Sequence, residues 1–135
     1  MSHTENAPFM AMDLGLKRIG LAFSPDGNIT TPLPAVQRKN RNQASSEVKQ
    51  ALDEWQIKTL IVGIPMNGDS EDEMRRRVAH FLNLVAFTGE VFYQDEAESS
   101  LEVKALMKGE IKQKRDGRID SLSAKVILDR YLENI

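Results

Sequence analysis

The sequence predicts one α/β domain whose mixed sheet starts as an antiparallel meander of strands 1–3 and continues with parallel strands 4 and 5, flanked by helices. Three observations carry this. Phe9-Met10-Ala11-Met12 and Thr59-Leu60-Ile61-Val62-Gly63-Ile64 are short apolar runs of the length and composition of buried strands. Turn residues separate the first strands closely enough for hairpins. Segments of helical periodicity separate the later strands, which requires right-handed crossovers and parallel pairing.

Taken in order, Met1 to Pro8 is polar and reads as a disordered tail before a single domain over 9–135. The first strand runs into Asp13-Leu14-Gly15, and the glycine permits the turn that returns Leu21-Ala22-Phe23 beside it. Pro25-Asp26-Gly27-Asn28 is the next turn, and Ile29 to Leu33 a short third strand ended by proline. Pro34 to Asn42 reads as a polar, basic loop. Ala44, Val48, Ala51, Leu52 and Trp55 share one helical face over Gln43 to Trp55.

The strand Thr59 to Ile64 is stopped by Pro65, and Asn67-Gly68 is a turn. Ser70 and Glu73 have capping-box spacing before a helix that buries Met74, Val78, Phe81, Leu82 and Val85, turns Arg75 and Arg76 to solvent, and ends at Gly89. Val91 to Gln94 is the last strand, finishing in Asp95-Glu96. Ser99 and Glu102 repeat the capping-box spacing before a helix over Leu101 to Lys108. The stretch Lys108 to Arg118 is basic, contains two glycines and reads as a mobile loop, and a closing helix spans Asp120 to Asn134.

Composition narrows the chemistry. At 135 residues, 41% hydrophobic and 28% charged, the chain suits one well-filled core. No run approaches the roughly 18 apolar residues of a membrane span, and no signal-peptide pattern opens the chain, so a cytoplasmic location is expected. Without cysteine there is no thiolate chemistry or Cys-ligated zinc, and the two histidines, His3 and His80, are too few for a histidine-based site. Hydrolytic chemistry would therefore come from carboxylates. The net charge of −2 argues against coating nucleic acid by bulk charge. The basic residues are instead clustered, at Lys17 and Arg18, Arg38 to Arg41, Arg75 to Arg77 and Lys108 to Arg118, each of which is also compatible with ordinary solvated surface.

Two strands end in acids: Asp13, and Asp95 with Glu96. A carboxylate at a buried strand end must be hydrated, hydrogen-bonded or bound to a cation, so Asp13 is either a site or an exposed strand end. Ligands of open α/β sheets collect at such ends. Asp120 shares a helical face with Ala124, Ile127, Leu128 and Tyr131, so the side that packs on the sheet begins with a carboxylate, unless Asp120 only caps the helix. Acids converging without His or Cys suit Mg²⁺ or Mn²⁺, and two such ions about 4 Å apart support phosphodiester cleavage.

Four motifs then resemble, in order, those of the YqgF family: Asp13 to Gly20, Val62 to Gly68, Asp95-Glu96, and Ile119 to Ala124. This is the bacterial group described as Holliday junction resolvases and as nucleases maturing the 5′ end of the small-subunit (16S) rRNA precursor. The resemblance implies a ribonuclease H-like fold with a mixed five-stranded sheet and a metal-dependent nuclease. Its metal-binding, catalytic carboxylates would be Asp13, Glu96 and Asp120; strand alternation does not separate Glu96 from Asp95. Lys17 and Arg18 would lie near the phosphate path, and Gly63, Pro65 and Asn67 would shape a loop beside the site. Lys112, Lys114, Arg115 and Arg118 of the basic loop would hold the phosphate backbone. Two positions depart from the pattern: Ala97 and Glu98 follow the acid pair where the family usually has Arg, and Ser123 stands where related resolvases have a further acid.

The function expected is processing of the 16S rRNA precursor by phosphodiester hydrolysis. The alternatives are resolution of a four-way DNA junction, which needs two cuts and favours a homodimer, and a catalytically weak nucleic-acid-binding factor in ribosome assembly or transcription. An actin-like ATPase reading of the Asp-x-Gly hairpin would need a second half to enclose a nucleotide.

Overall fold

The computed structural model describes residues 5–66, 68–96 and 117–135. Their elements are β1 (Phe9–Leu14), β2 (Arg18–Ser24), β3 (Thr31–Gln37), α1 (Arg41–Glu54), β4 (Thr59–Ile64), α2 (Glu71–Val85), β5 (Glu90–Asp95) and α3 (Arg118–Glu133). The expected helix over Leu101 to Lys108 lies outside the described residues, as do Asn67, Ala97, Lys112, Lys114 and Arg115.

The sheet has five strands in the order β3-β2-β1-β4-β5. β1 pairs antiparallel with β2 and β2 with β3, whereas β1–β4 and β4–β5 are parallel. β1 is therefore central, which is why Phe9, Met10, Ala11 and Met12 are all fully buried. Alternation sends Met10, Met12 and Leu14, with Leu60, Val62 and Ile64 of β4, onto α1 and α2 through Val48, Leu52, Val78 and Phe81. On the other face Phe9, Ala11 and Ile61 meet Ala124, Ile127 and Leu128 of α3. Each large apolar side chain so buried contributes roughly 1.5–3 kcal/mol.

Several local expectations change. β3 continues to Gln37 through Pro32 and Pro34 instead of ending at proline, because it is an edge strand and an edge tolerates the missing N–H. α1 begins two residues before the expected Gln43, since Asn40 forms a capping box with Gln43. No such box forms at Ser70, whose backbone is already helical (φ −93°, ψ 0°) and whose side chain makes no capping bond. α2 ends at left-handed Ala86 (φ 60°), ahead of Gly89. Arg75 does not simply face solvent: it pairs with Glu71 at 2.9 Å and lies 4.9 Å over the Tyr93 ring. Ahead of β1, Ala7 is buried, the Asn6 carbonyl accepts from Thr59 Oγ1 at 2.8 Å, and the Pro8 carbonyl accepts from Lys58 N–H at 3.0 Å. The chain is thus tied to the sheet before the expected domain start at Phe9.

Candidate active site

Asp13 sits one residue before the end of β1, on the same alternating set as Phe9 and Ala11, so its side chain belongs to the α3 face. Its strand partner on β2 is Gly20. That glycine is a packing device: a Cβ there would lie 2.0 Å from the Asp120 carbonyl oxygen, closer than any contact allows. The absence of a side chain lets the first turn of α3 rest directly on β2, where the β2–β3 register also shifts between Ile19 and Leu21. Ser121 Oγ accepts the Leu21 N–H at 3.3 Å and secures the contact.

Asp120 accordingly stands in the first turn of α3 beside Asp13. It is not the helix cap: that position is Gly117, whose φ of 104° is open to glycine without strain. One turn on, Ser123 is buried within α3 and brings no carboxylate.

Strand β5 supplies the third acid. Asp95 and Glu96 separate to opposite faces, the point that alternation left open. Asp95 Oδ1 accepts the Met66 N–H at 3.3 Å. Glu96, beyond the strand end, has its backbone N–H bonded to the Ile64 carbonyl at 3.0 Å and its side chain hydrogen-bonded to Asp13. Gly63 lies within β4, as the strand reading of Thr59 to Ile64 expects, and an added Cβ there would be 3.5 Å from Glu96 Cβ.

The electrostatics follow from this crowding. Burial, and then the charges of Glu96 and Asp120, push the Asp13 carboxyl up to about 7; its hydrogen bond to Glu96 acts in the same direction. Burial also raises Glu96, and the charge of Asp95 adds to this, while the bond from Asp13 opposes it. Asp13 is therefore the proton donor of the pair near neutrality and Glu96 the acceptor. Asp120 is held differently, by Arg18 Nε at 2.8 Å from its Oδ2, with both side chains mostly buried. Arg18, expected on the phosphate path, thus neutralises one of the acids. Lys17 and Leu16 stand exposed on the hairpin next to it, and Arg118 is exposed at the start of α3.

An all-oxygen set of three carboxylates, one of them with its carboxyl pushed up to about 7, fits a hard divalent cation in donor chemistry and charge. In the arrangement observed, no group of three His, Cys, Asp or Glu among the described residues is gathered closely enough to hold one ion. The Arg18–Asp120 pair is the contact that would have to exchange.

Sequence reasoning missed two supports of this site. One is Gly20, for which an isolated glycine inside a strand was the available signal. The other is Arg38, whose Nη1 donates to the Gly15 carbonyl at 2.7 Å and braces the hairpin that carries Arg18; nothing in its local sequence distinguishes it from a surface arginine.

A meander followed by two parallel strands, with a helix laid across the face of β1 and β2, makes this a domain of the ribonuclease H-like fold. Solved structures share that fold. Thermus thermophilus RuvC in complex with a Holliday junction substrate superposes with a TM-score of 0.55 at 12% identity, covering 93% of this chain and 94% of that one. The fowlpox virus Holliday junction resolvase gives 0.53 at 13% identity, covering 96% and 100%. The chain belongs to the RuvX family, described as Holliday junction resolvase, whose family model matches residues 7–134. This is the YqgF-like family to which the motifs pointed. A relative from Sulfurimonas denitrificans, provisionally named pre-16S rRNA nuclease, is 64% identical over 124 residues, 92% of this chain and 95% of the relative. Proteins given the same name in a Sulfurovum species and in Helicobacter hepaticus are 50% and 42% identical over 90% and 96% of this chain.

Proposed function

We propose that this protein is a divalent-metal-dependent nuclease that trims the 5′ end of the 16S rRNA precursor in the cytoplasm. The observation that carries the proposal is the raised carboxyl of Asp13, wedged between Glu96 and Asp120 at the end of the central strand. Such crowding of acids disfavours the empty, fully ionised site and favours a cation. The names of the full-length relatives support the RNA substrate, and no helix among the described residues is long and apolar enough to cross a membrane.

Asp13, Glu96 and Asp120 would hold Mg²⁺ or Mn²⁺. When bound, the ion supplies a Lewis acid that acidifies water for in-line attack on phosphorus and offsets charge on the leaving oxygen. The chain's own residues do the rest. Asp13 would release to solvent the proton it donates to Glu96, and Arg18 would exchange its single Nε contact with Asp120 for a phosphate oxygen, whose geometry a guanidinium fork matches. Lys17 adds a second cation at the hairpin, and Arg118, with Lys112, Lys114 and Arg115 of the basic segment before it in sequence, would contact the phosphate backbone. Asn67 follows β4 and would contribute a polar contact there.

The test is incubation with a 5′-extended 16S rRNA precursor and with a four-way DNA junction, each with Mg²⁺, Mn²⁺ or chelator, for wild type and Asp13→Asn. Metal-dependent trimming of the RNA that is lost in the variant is the expected result. The fold shared with RuvC favours one second reading, junction resolution by a homodimer; cutting of the DNA junction alone, in paired nicks, would move the assignment there. Binding without any cutting would indicate a nucleic-acid-binding factor.

A further inference from the structure

Two basic clusters that are far apart in sequence meet on the face of the sheet opposite the acids. Arg38 and Arg41, from the β3–α1 junction, and Arg76, Arg77 and His80, from α2, line one open groove of about 430 Å³. Its floor includes Leu14, the residue directly after Asp13, and its rim includes Leu16 at the hairpin tip, which is 77% exposed. Asp13 and Leu14 point to opposite faces, so only the β1 end and its hairpin separate the groove from the carboxylates.

Four guanidiniums gathered with no counter-charge among the described residues need an explanation. Among the described residues no carboxylate lies within ion-pair distance of Arg38, Arg41, Arg76 or Arg77. Their contacts are of another kind: Arg38 bonds the Gly15 carbonyl and lies 5.6 Å over the Phe81 ring, Arg41 bonds His80 Nε2 at 3.0 Å, and Arg77 touches Met74 Sδ at 3.6 Å. Burial, and then the like charges of Arg77 and Arg41, lower the Arg38 pKa, a sign that the cluster is electrostatically uncomfortable by itself.

We propose that this groove binds consecutive phosphates of the same nucleic-acid strand that the acid site cuts, carrying the strand around the β1–β2 hairpin onto the α1–α2 face. This rests on the nuclease reading above. Arginine forks match phosphate oxygens, and a polyanion relieves several like charges at once, which a single small anion does less well. Exposed Leu16 offers apolar surface to a sugar or base at the bend. Arg38 has a second role there: it ties the groove to the hairpin, so a strand seated in the groove also steadies the loop carrying Lys17 and Arg18.

The probe is fluorescein-labelled single-stranded RNA, followed by anisotropy in chelator so that nothing is cut, over a series of salt concentrations. Arg41 and Arg76 are exposed, so Arg41→Gln/Arg76→Gln should melt like wild type. Its affinity is expected to fall about tenfold or more, and the slope of log affinity against log salt to flatten by about 0.7 for each phosphate that the variant no longer neutralises. Lys49→Gln/Lys58→Gln removes the same charge elsewhere and should change the slope far less. Equal effects from the two double variants, or none from the arginine pair, would overturn the proposal, as would failure of wild type to bind RNA in chelator. Inorganic pyrophosphate, titrated by calorimetry into the same proteins, is the second probe: loss of its binding in the arginine variant with RNA binding intact would overturn the strand proposal and assign the groove to a small anion. Cleavage with Mg²⁺ by wild type and Asp13→Asn, run in parallel, keeps the two readings apart. No cutting by either with the arginine effect present would remove the nuclease and leave the groove, whereas Asp13-dependent cutting with unchanged RNA binding would do the reverse.

Discussion

Arg18 Nε lies 2.8 Å from Asp120 Oδ2, so the acid that α3 brings to the sheet is neutralised by a cation from β2, while burial and the neighbouring acids push the Asp13 carboxyl up beside it. The acid-rich end of the sheet therefore carries an internal stand-in for a cation. Arg18→Gln should free Asp120, strengthening Mn²⁺ binding to the nucleic-acid-free protein several-fold in titration calorimetry while weakening RNA binding. The stability lost with this largely buried pair should be about 1–2 kcal/mol by denaturant unfolding. Unchanged Mn²⁺ affinity would mean that the pair does not compete with the ion.

Asp13 makes the metal-free protein less stable as pH rises. Its folded-state pKa of about 7 stands above the ordinary 3.8, so between those values the folded state binds more protons than the unfolded one. Stability accordingly falls through that window and the loss is complete above about pH 7. The shift sets an upper bound of about 4 kcal/mol. In chelator, Asp13→Asn should thus be more stable than wild type at pH 8, by about 1–3 kcal/mol, with the difference shrinking towards pH 4. Melting curves of both proteins across this range would check it; a constant difference would assign the effect to something other than this titration.

A divalent cation should reverse the same penalty. Millimolar Mg²⁺ is expected to raise the wild-type melting temperature more at pH 8 than at pH 5, because the ion competes with the proton on Asp13. Asp13→Asn should respond weakly at both. This reads ligand binding without any need for cleavage.

Gly20 should tolerate no side chain. Gly20→Ala places a methyl 2.0 Å from the Asp120 carbonyl, backbone that can yield only if the first turn of α3 lifts off β2. A loss of about 2–4 kcal/mol is expected on unfolding, with cleavage reduced more than the folded fraction explains. Gly68→Ala, where no atom of the described residues lies within 4 Å of the added carbon, is the control and should be close to neutral.

Much of the architecture was legible because it rests on local signals. The uninterrupted apolar runs of β1 and β4 mark strands covered on both faces, and helical spacing at Ala124, Ile127, Leu128 and Tyr131 marks the side of α3 that meets the sheet. The four motifs were enough to identify the family, and with it the acids to watch. Boundaries were less legible. Pro32 and Pro34 look like strand breakers until β3 is known to be an edge, and Ser70 looks like a cap until its backbone is seen to be helical already.

What local signals could not carry is anything that depends on which side chains of distant segments meet. Asp95 and Glu96 are equivalent in sequence, and it is the direction of the strand end that gives one to the Met66 N–H and the other to Asp13. Arg18 and Asp120 are 102 residues apart, and Arg38 and Arg77 belong to different elements; each looks like surface charge alone. The chain's own pattern thus specifies strands, helices and the acids at their ends, because burial and turn chemistry act between neighbours. The pairing of those acids with cations, and the union of two basic clusters in one groove, arise from packing across the sheet, because electrostatic interactions depend on distance in space and not on position in the chain.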